Sequence, residues 1–159
     1  VRQSLQAQGK PTEFFTTPSP FNSLLWFVAV KDREGYHTGY RSVFDKGPVA
    51  FHYFPRNEKQ TDTTQNQRDI RLLKDFAQGY YTFEQWGDTA VLNVLRFGQV
   101  VGWYDPSQPF AFHYFLTYPD QNDLVVQRGR FKHWNRQTFA AFFRRMMGYP
   151  GPLSPGGGT

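Results

Sequence analysis

The sequence predicts an α+β domain: one antiparallel sheet of about six strands, with two helices packed on a single face. Short segments rich in β-branched and aromatic residues alternate with turns, a pattern typical of antiparallel strands. Two longer segments carry apolar residues at the spacing of amphipathic helices. The 17 Phe, 9 Tyr and 4 Trp residues supply apolar surface for one core, although the mean hydropathy is −0.63. A small, partly open barrel that encloses a ligand cavity is the alternative fold.

The composition divides the 159 residues into one domain with two irregular ends. Residues 1–20 are rich in Gln, Thr and Pro, which predicts a linker or a loosely attached arm. Residues 21–148 form the predicted domain, and the Pro- and Gly-rich residues 149–159 are predicted to be a flexible tail. The longest apolar run, Leu24–Val30, is too short to cross a bilayer.

The first half of the domain is predicted to contain a hairpin, a third strand and a helix. In order, these are strands at Leu24–Lys31, Tyr36–Phe44 and Val49–Phe54, then a helix at Asn66–Gln78. The hairpin turn contains Gly35, and Pro55 stops the third strand. Asn66 can cap the helix, and Gly79 supplies its left-handed end.

The second half repeats this order. We predict strands at Tyr80–Gln85, Ala90–Phe97 and Phe110–Tyr118, a short strand at Leu124–Gln127, and a helix that begins at Asn135. Trp134 and Phe139 occupy the two positions of a hydrophobic staple at the start of that helix. Its apolar residues recur on one face, so we expect this face to be buried; they are Phe139, Phe142, Phe143, Met146 and Met147.

A pentapeptide occurs twice in the chain. Ala50–Phe54 and Ala111–Phe115 both read AFHYF. Each copy follows a hairpin and precedes a helix, which predicts two pseudo-symmetric half-domains that share one sheet. Chance recurrence in an aromatic-rich sequence is the alternative.

No motif in the sequence identifies a catalytic, metal or cofactor site. The absence of cysteine excludes disulfides, thiolate zinc sites and a cysteine nucleophile. The four histidines lack metal-ligand spacing, no serine lies in a nucleophile elbow, and Asp32 lies in a turn where solvation explains it. His52 and His113 would face each other if the repeat is real, although half-exposed sheet residues are the simpler interpretation. We therefore predict no catalytic residue, no metal and no cofactor.

Arg96 lies near the end of an otherwise apolar predicted strand, where a charge is costly unless it is paired or at the rim. It has two interpretations. It can bind an anion or a partner, or it can form a structural ion pair with an acidic residue such as Asp105 or Glu84.

The positive charge of the chain, +5 overall, is concentrated at its C-terminal end. No acidic residue follows Asp123, and six basic residues do: Arg128, Arg130, Lys132, Arg136, Arg144 and Arg145. Such a set could bind an anionic membrane surface or nucleic-acid phosphates. A solvated face that keeps the domain soluble is the third interpretation.

Five short segments appear in a characteristic order: Pro20–Trp26, Gly39-Tyr40, Gly79–Tyr81, Leu95–Gly98 and Gln108–Phe110. Together they resemble the soluble C-terminal region of the bacterial membrane-bound metal-dependent hydrolases, a LexA-regulated inner-membrane family. The resemblance spans residues 18–118. In that family the strand bearing the arginine has an Asp two residues before it, whereas this chain has Val94.

The resemblance implies that the chain is the extramembrane domain of a larger bacterial inner-membrane protein. In that family the N-terminal part holds transmembrane helices and the His- and Asp-containing metal motifs, none of which occurs here. The favoured function is thus a non-catalytic accessory domain that binds substrate, lipid headgroups or a partner at the membrane surface. One alternative is part of a hydrolase active site, with Arg96 and the histidines lining a pocket. The other is a nucleic-acid-binding module that uses the basic C-terminal face.

Overall fold

The computed structural model describes residues 1–11, 13–19, 22–61, 67–117 and 136–150. Within these ranges seven strands form two antiparallel sheets with three α-helices, which confirms the predicted α+β class. The strands are β1 (Phe14–Pro18), β2 (Leu25–Lys31), β3 (Gly35–Ser42), β4 (Phe51–Pro55), β5 (Tyr81–Trp86), β6 (Thr89–Gln99) and β7 (Phe110–Phe115). The helices are α1 (Arg2–Ala7), α2 (Gln67–Phe76) and α3 (Arg136–Met146), and a 3₁₀ turn lies at Glu58–Thr61.

The first sheet has the order β1-β2-β3-β4, and its β2–β3 hairpin lies close to the predicted bounds. Strand β2 is buried on both faces because its side chains alternate between two apolar clusters. Val28 and Val30 contact Leu5 of α1, whereas Phe27 and Ala29 belong to the core between the two sheets.

The second sheet has the order β5-β6-β7, with the long strand β6 in the middle. Leu92 and Val94 of β6 pack against Ile70, the buried residue of α2. Leu95 contributes to the core that the two sheets share. Gly79 follows α2 with a φ of 77°, as predicted for the end of that helix.

The prediction of a single sheet of six strands is wrong. The hydrogen-bonded ladders divide between β4 and β5, where one backbone bond runs from Phe83 N to Arg56 O. Tyr36 of the first sheet and Leu95 and Phe110 of the second are buried in one cluster. If all the strands formed one sheet with helices on only one face, these apolar residues would lie on the uncovered face and remain exposed to water.

Residues 1–20, predicted to be a linker or arm, contain α1 and β1 instead. The Leu5 side chain is fully buried against Val28 and Val30. Strand β1 pairs with β2 from Phe14↔Val30 to Pro18↔Trp26. The polar composition was misleading because one buried leucine docks the helix, and an edge strand is held by backbone hydrogen bonds that need no apolar sequence.

Helix α3 forms as predicted, but most of its apolar face is not buried. Phe142 packs with Leu25 and Trp103, whereas Phe143 and Met147 are 59% and 56% exposed. The helix lies on the turn that follows β3, where the Ser42 hydroxyl donates to the Met146 carbonyl. A helix that lies on a turn buries a narrower part of its apolar face than a helix that lies on a sheet. The predicted cap Asn135, Trp134 and the short strand at Leu124–Gln127 lie outside the described residues.

The two copies of the pentapeptide occupy equivalent positions. Strands β4 and β7 each lie at the edge of a sheet and pair with the second strand of the preceding hairpin. His52 is opposite Thr38, and His113 is opposite Asn93. The repeated order is therefore present, but the copies lie in separate sheets and do not share one.

Candidate functional site

Tyr40, Gly98 and Phe110 lie at the junction between the two sheets. The Tyr40 hydroxyl donates to the Gln99 carbonyl and accepts from the Gln99 amide, each at 3.1 Å. Gly98 has a φ of 67°, and a Cβ there would lie 3.2 Å from Cγ of Phe27. Phe110 is buried in the shared core. These residues therefore contribute to the contact between the sheets.

Arg96, the only charged side chain in the segments that carry the family resemblance, lies in an irregularity of β6. The register with β7 passes from Val94↔Phe112 to Gln99↔Phe110, so residues 95–98 of β6 lie opposite the single residue Ala111. Bulges of this kind redirect side chains and are common beside binding sites. Here the bulge places Arg96 between β1 and the end of α2.

Within the described residues, Arg96 does not form the structural ion pair that is one of its two interpretations. Among the described residues no carboxylate lies within salt-bridge distance of its guanidinium. Glu84 instead accepts from the Trp86 indole at 2.7 Å, and Asp105 accepts from Ser107 and Gln108. These local hydrogen bonds lower the pKa of Asp105, Gln108 contributing most.

Arg96 contacts a helix end and aromatic rings. Its Nη1 donates to the Phe76 carbonyl at 3.3 Å, at the C-terminus of α2, where a cation is favourable. The guanidinium carbon lies 5.5 Å from the centre of the Phe15 ring. Its Nε is buried and has no hydrogen-bond partner among the described residues. Phe76 and Phe97 stack beside it with centroids 5.7 Å apart, and both are exposed, by 44% and 40%.

The structure does not bring the predicted histidines to Arg96 or to each other. His113 packs against Trp86, with ring centroids 5.0 Å apart, and its Nδ1 lies 3.0 Å from the Phe110 carbonyl. His52 is exposed on β4, in the other sheet. Neither histidine shares a contact residue with Arg96 within the described ranges, so the pocket proposed for a hydrolase site is not assembled there.

Of the basic C-terminal set, the structure describes Arg136, Arg144 and Arg145. Arg145 forms two hydrogen bonds to the Asp45 carboxylate, at 2.8 and 2.7 Å, and a third to the Tyr40 carbonyl at 2.9 Å. It therefore fixes α3 on the preceding sheet, and its role as a binding residue stays a prediction. Arg136 and Arg144 are exposed on α3. Arg128, Arg130 and Lys132 lie outside the described residues.

Exposed apolar side chains lie on α3, just after it and on the turn after β3, and we call this set the α3 surface. Its apolar members are Val43, Phe44, Phe143, Met147 and Tyr149, each at least 50% exposed. Gly148 joins the two parts, because a Cβ there would lie 3.0 Å from Cβ of Phe44. Arg144 flanks the patch with its guanidinium 5.8 Å from the Tyr149 ring, and Arg136 lies seven residues before Phe143 on the same helix face.

A cluster that the sequence analysis missed joins α1 to the first sheet. The two ring nitrogens of His37 lie 3.0 Å from the Asp32 carboxylate and 3.2 Å from the Lys10 ammonium. Backbone donation from Arg33, followed by the bond to His37, lowers the pKa of Asp32. The sequence feature that could have identified this cluster is an aspartate and a histidine on either side of a tight hairpin turn. Because both ring nitrogens are engaged, the cluster has a structural role in this arrangement.

The arrangement of the described residues bears on metal binding and on membrane insertion. No group of three or more His, Asp or Glu side chains there is arranged to hold a metal ion. Within the same residues, no helix is long and apolar enough to span a bilayer. In the comparisons with known proteins, no family model matches the chain, and no match was found among curated proteins or solved structures.

Proposed function

We propose that this chain is a non-catalytic, extramembrane accessory domain of a larger membrane-bound protein, and that it binds an anionic bilayer through the α3 surface. The observation that carries the proposal is the exposure of five large apolar side chains beside Arg136 and Arg144. Burial of such side chains in a partner is worth several kcal/mol in total, so an exposed group of them favours an interaction site.

The composition of the α3 surface fits the boundary between headgroups and acyl chains. Aromatic residues and methionine contribute apolar area, and Tyr149 also has a hydroxyl that suits the polar side of that boundary. Each arginine near an anionic leaflet adds about 1 kcal/mol. Helix α3 has no acidic residue, and Asp45, at its base, is neutralised by Arg145. The charge and the apolar area of the α3 surface therefore both favour binding to an anionic membrane.

The family resemblance supports the same location. A domain that belongs to an inner-membrane protein is held at the bilayer by the rest of that protein. A weak surface contact is then sufficient, because tethering raises the effective concentration of the membrane. The metal chemistry of that family lies in motifs that this chain lacks, which is consistent with an accessory role.

Cosedimentation with phosphatidylglycerol-containing and phosphatidylcholine vesicles tests this proposal. We expect binding to the anionic vesicles, weakening with salt, and a loss of about tenfold in the double variant Phe143→Ser/Met147→Ser. Leu72→Ser is the matched control, since Leu72 on α2 is 57% exposed and Met147 is 56% exposed. Equal binding by the control and the double variant would contradict the proposal. So would binding of single-stranded DNA that Arg144→Glu abolishes and the double variant retains, a result that favours the nucleic-acid module.

A further inference from the structure

We propose that Arg96, together with the rings of Phe76 and Phe97, binds a carboxylate or phosphate group carried on an aromatic ring. This site lies on β6 and α2, uses none of the residues of the α3 surface, and stands independently of membrane binding. We call it the Arg96 site.

The bulge in β6 orients the Arg96 side chain differently from a residue in a regularly paired strand. Residues 95–98 bulge out of the ladder with β7, and Gly98 accommodates the left-handed conformation that ends the bulge. Close approach of Gly98 to Phe27 anchors the bulge on the shared core. The geometry is therefore fixed by the fold before a ligand binds, which reduces the ordering cost of binding.

The guanidinium has donors left over for a ligand. A guanidinium binds an oxyanion through two parallel N–H groups, and Nε and Nη2 form one such edge. Nη1 is used by the Phe76 carbonyl, whereas neither Nε nor Nη2 has an acceptor among the described residues. Nη2, unlike Nε, is not among the buried atoms without a partner, so it retains access to solvent. Because Nε is shielded from solvent, the oxyanion engages Nη2.

Within the described part of the chain, no negative side chain compensates the positive charge of Arg96. No carboxylate of the described residues pairs with Arg96. Its guanidinium lies against the Phe15 ring and the Phe76 carbonyl, and Phe97 is the next residue in the chain. A charge held against a ring and a carbonyl costs free energy that an incoming anion recovers. An oxyanion is therefore the complementary partner.

The stacked pair specifies the body of the ligand. Phe76 and Phe97 lie 5.7 Å apart with an angle of 26° between their planes, and each retains more than a third of its surface in water. An additional ring can pack against the exposed part of this pair while its acidic group reaches Arg96. Aromatic packing of this kind strengthens binding by about threefold to tenfold.

Titrations followed by ¹⁵N–¹H NMR of the arginine Nε–H groups test the Arg96 site directly. The probes are benzoate and phenyl phosphate, compared with acetate and inorganic phosphate. We expect the Arg96 signal to shift with millimolar affinity, and the aromatic probes to bind about threefold to tenfold more tightly than the matched small anions. A comparison of the affinities for benzoate and phenyl phosphate then shows whether a carboxylate or a phosphate is preferred.

Variants separate the roles of charge and ring. Arg96→Met should abolish the shifts of neighbouring amides, Arg96→Lys should weaken binding of both anion classes, and Phe97→Leu should remove only the preference for aromatic probes. Arg71→Met, an exposed arginine on α2, is the control and should bind as the parent does. Melting curves confirm folding, and if Arg96→Met unfolds, Arg96→Lys and Phe97→Leu decide the question.

Three outcomes would overturn the proposal: no shift of the Arg96 signal with any probe, equal affinity for aromatic and small anions, or shifts that persist in folded Arg96→Met. None of these would affect the vesicle result, since the residues concerned are different.

Discussion

Arg145 and Asp45, one hundred residues apart in the chain, form a two-pronged ion pair with N–O distances of 2.8 and 2.7 Å. Their side chains are only 12% and 17% exposed. The pair seats α3 on the turn after β3 and thereby creates the α3 surface, since Gly148, next to Met147, lies against Phe44.

Breaking this pair should destabilise the fold. We expect Arg145→Met to lower the free energy of unfolding by about 2–4 kcal/mol. The Asp45 carboxylate loses both guanidinium donors and keeps only the Ser42 amide, and the Tyr40 carbonyl loses its Arg145 donor. Urea denaturation measures the change. Arg144→Met, an exposed neighbour, should cost less than about 0.5 kcal/mol; equal losses in the two variants would refute a structural role for Arg145.

The Tyr40 hydroxyl should contribute strongly to the contact between the sheets. Tyr40→Phe leaves the amide and carbonyl of Gln99 unpaired at the junction, so we expect a loss of about 1–3 kcal/mol in urea denaturation. Tyr53→Phe, at an exposed position on β4, should have little effect. Burial also raises the pKa of Tyr40, so its phenolate absorbance should appear above the pH at which ordinary tyrosines ionise. A normal titration of Tyr40 would be inconsistent with this geometry.

Gly98 and Gly87 form a matched pair for testing the bulge. Both have left-handed φ values, 67° and 61°, but a Cβ at Gly87 meets open space while one at Gly98 meets Phe27. Gly87→Ala should cost about 1 kcal/mol from backbone strain, and Gly98→Ala about 1 kcal/mol more because of the contact. Chemical denaturation gives both values. Gly98→Ala should also shift the Arg96 Nε–H resonance. An unchanged resonance would show that the bulge does not position the Arg96 side chain.

Asp32 should contribute to stability in a pH-dependent way. Its pKa is lower in the folded chain than the ordinary 3.8, so its contribution is fully present above that value and is lost as the pH falls through the folded pKa. Asp32→Asn should therefore reduce the loss of stability between about pH 5 and about pH 2.5 relative to the parent. Urea midpoints across this range measure it. Parallel curves for parent and variant would show that Asp32 has no such role.

The sequence predicts local elements well, because periodicity and turn residues are local properties. The hairpins of β2–β3 and β5–β6 lie within a few residues of their predicted bounds, and the two AFHYF strands have equivalent neighbours. Which sheet a strand joins depends on how buried faces are matched in space. Phe27 and Leu95 carry no sign in the sequence that they share one core.

The site residues show the same limit. The basic cluster suggests one surface, yet Arg145 is removed from it by Asp45, a partner too distant in sequence for any spacing argument. The unusual position of Arg96 in an apolar strand was visible, whereas its contact with the carbonyl end of α2 was not. Leu5 and Val1 form a single i,i+4 apolar pair in a polar stretch, a pattern too short for periodicity to predict burial.

The docking of α1 determines how the amino terminus moves. Val1 packs partly against the cluster of Leu5, Val28 and Val30, and the Leu5 amide donates to the Val1 carbonyl at 3.0 Å. A fluorophore attached at Val1 should therefore rotate with the whole particle. Such a label would report the tilt of the molecule on a supported bilayer by polarised emission.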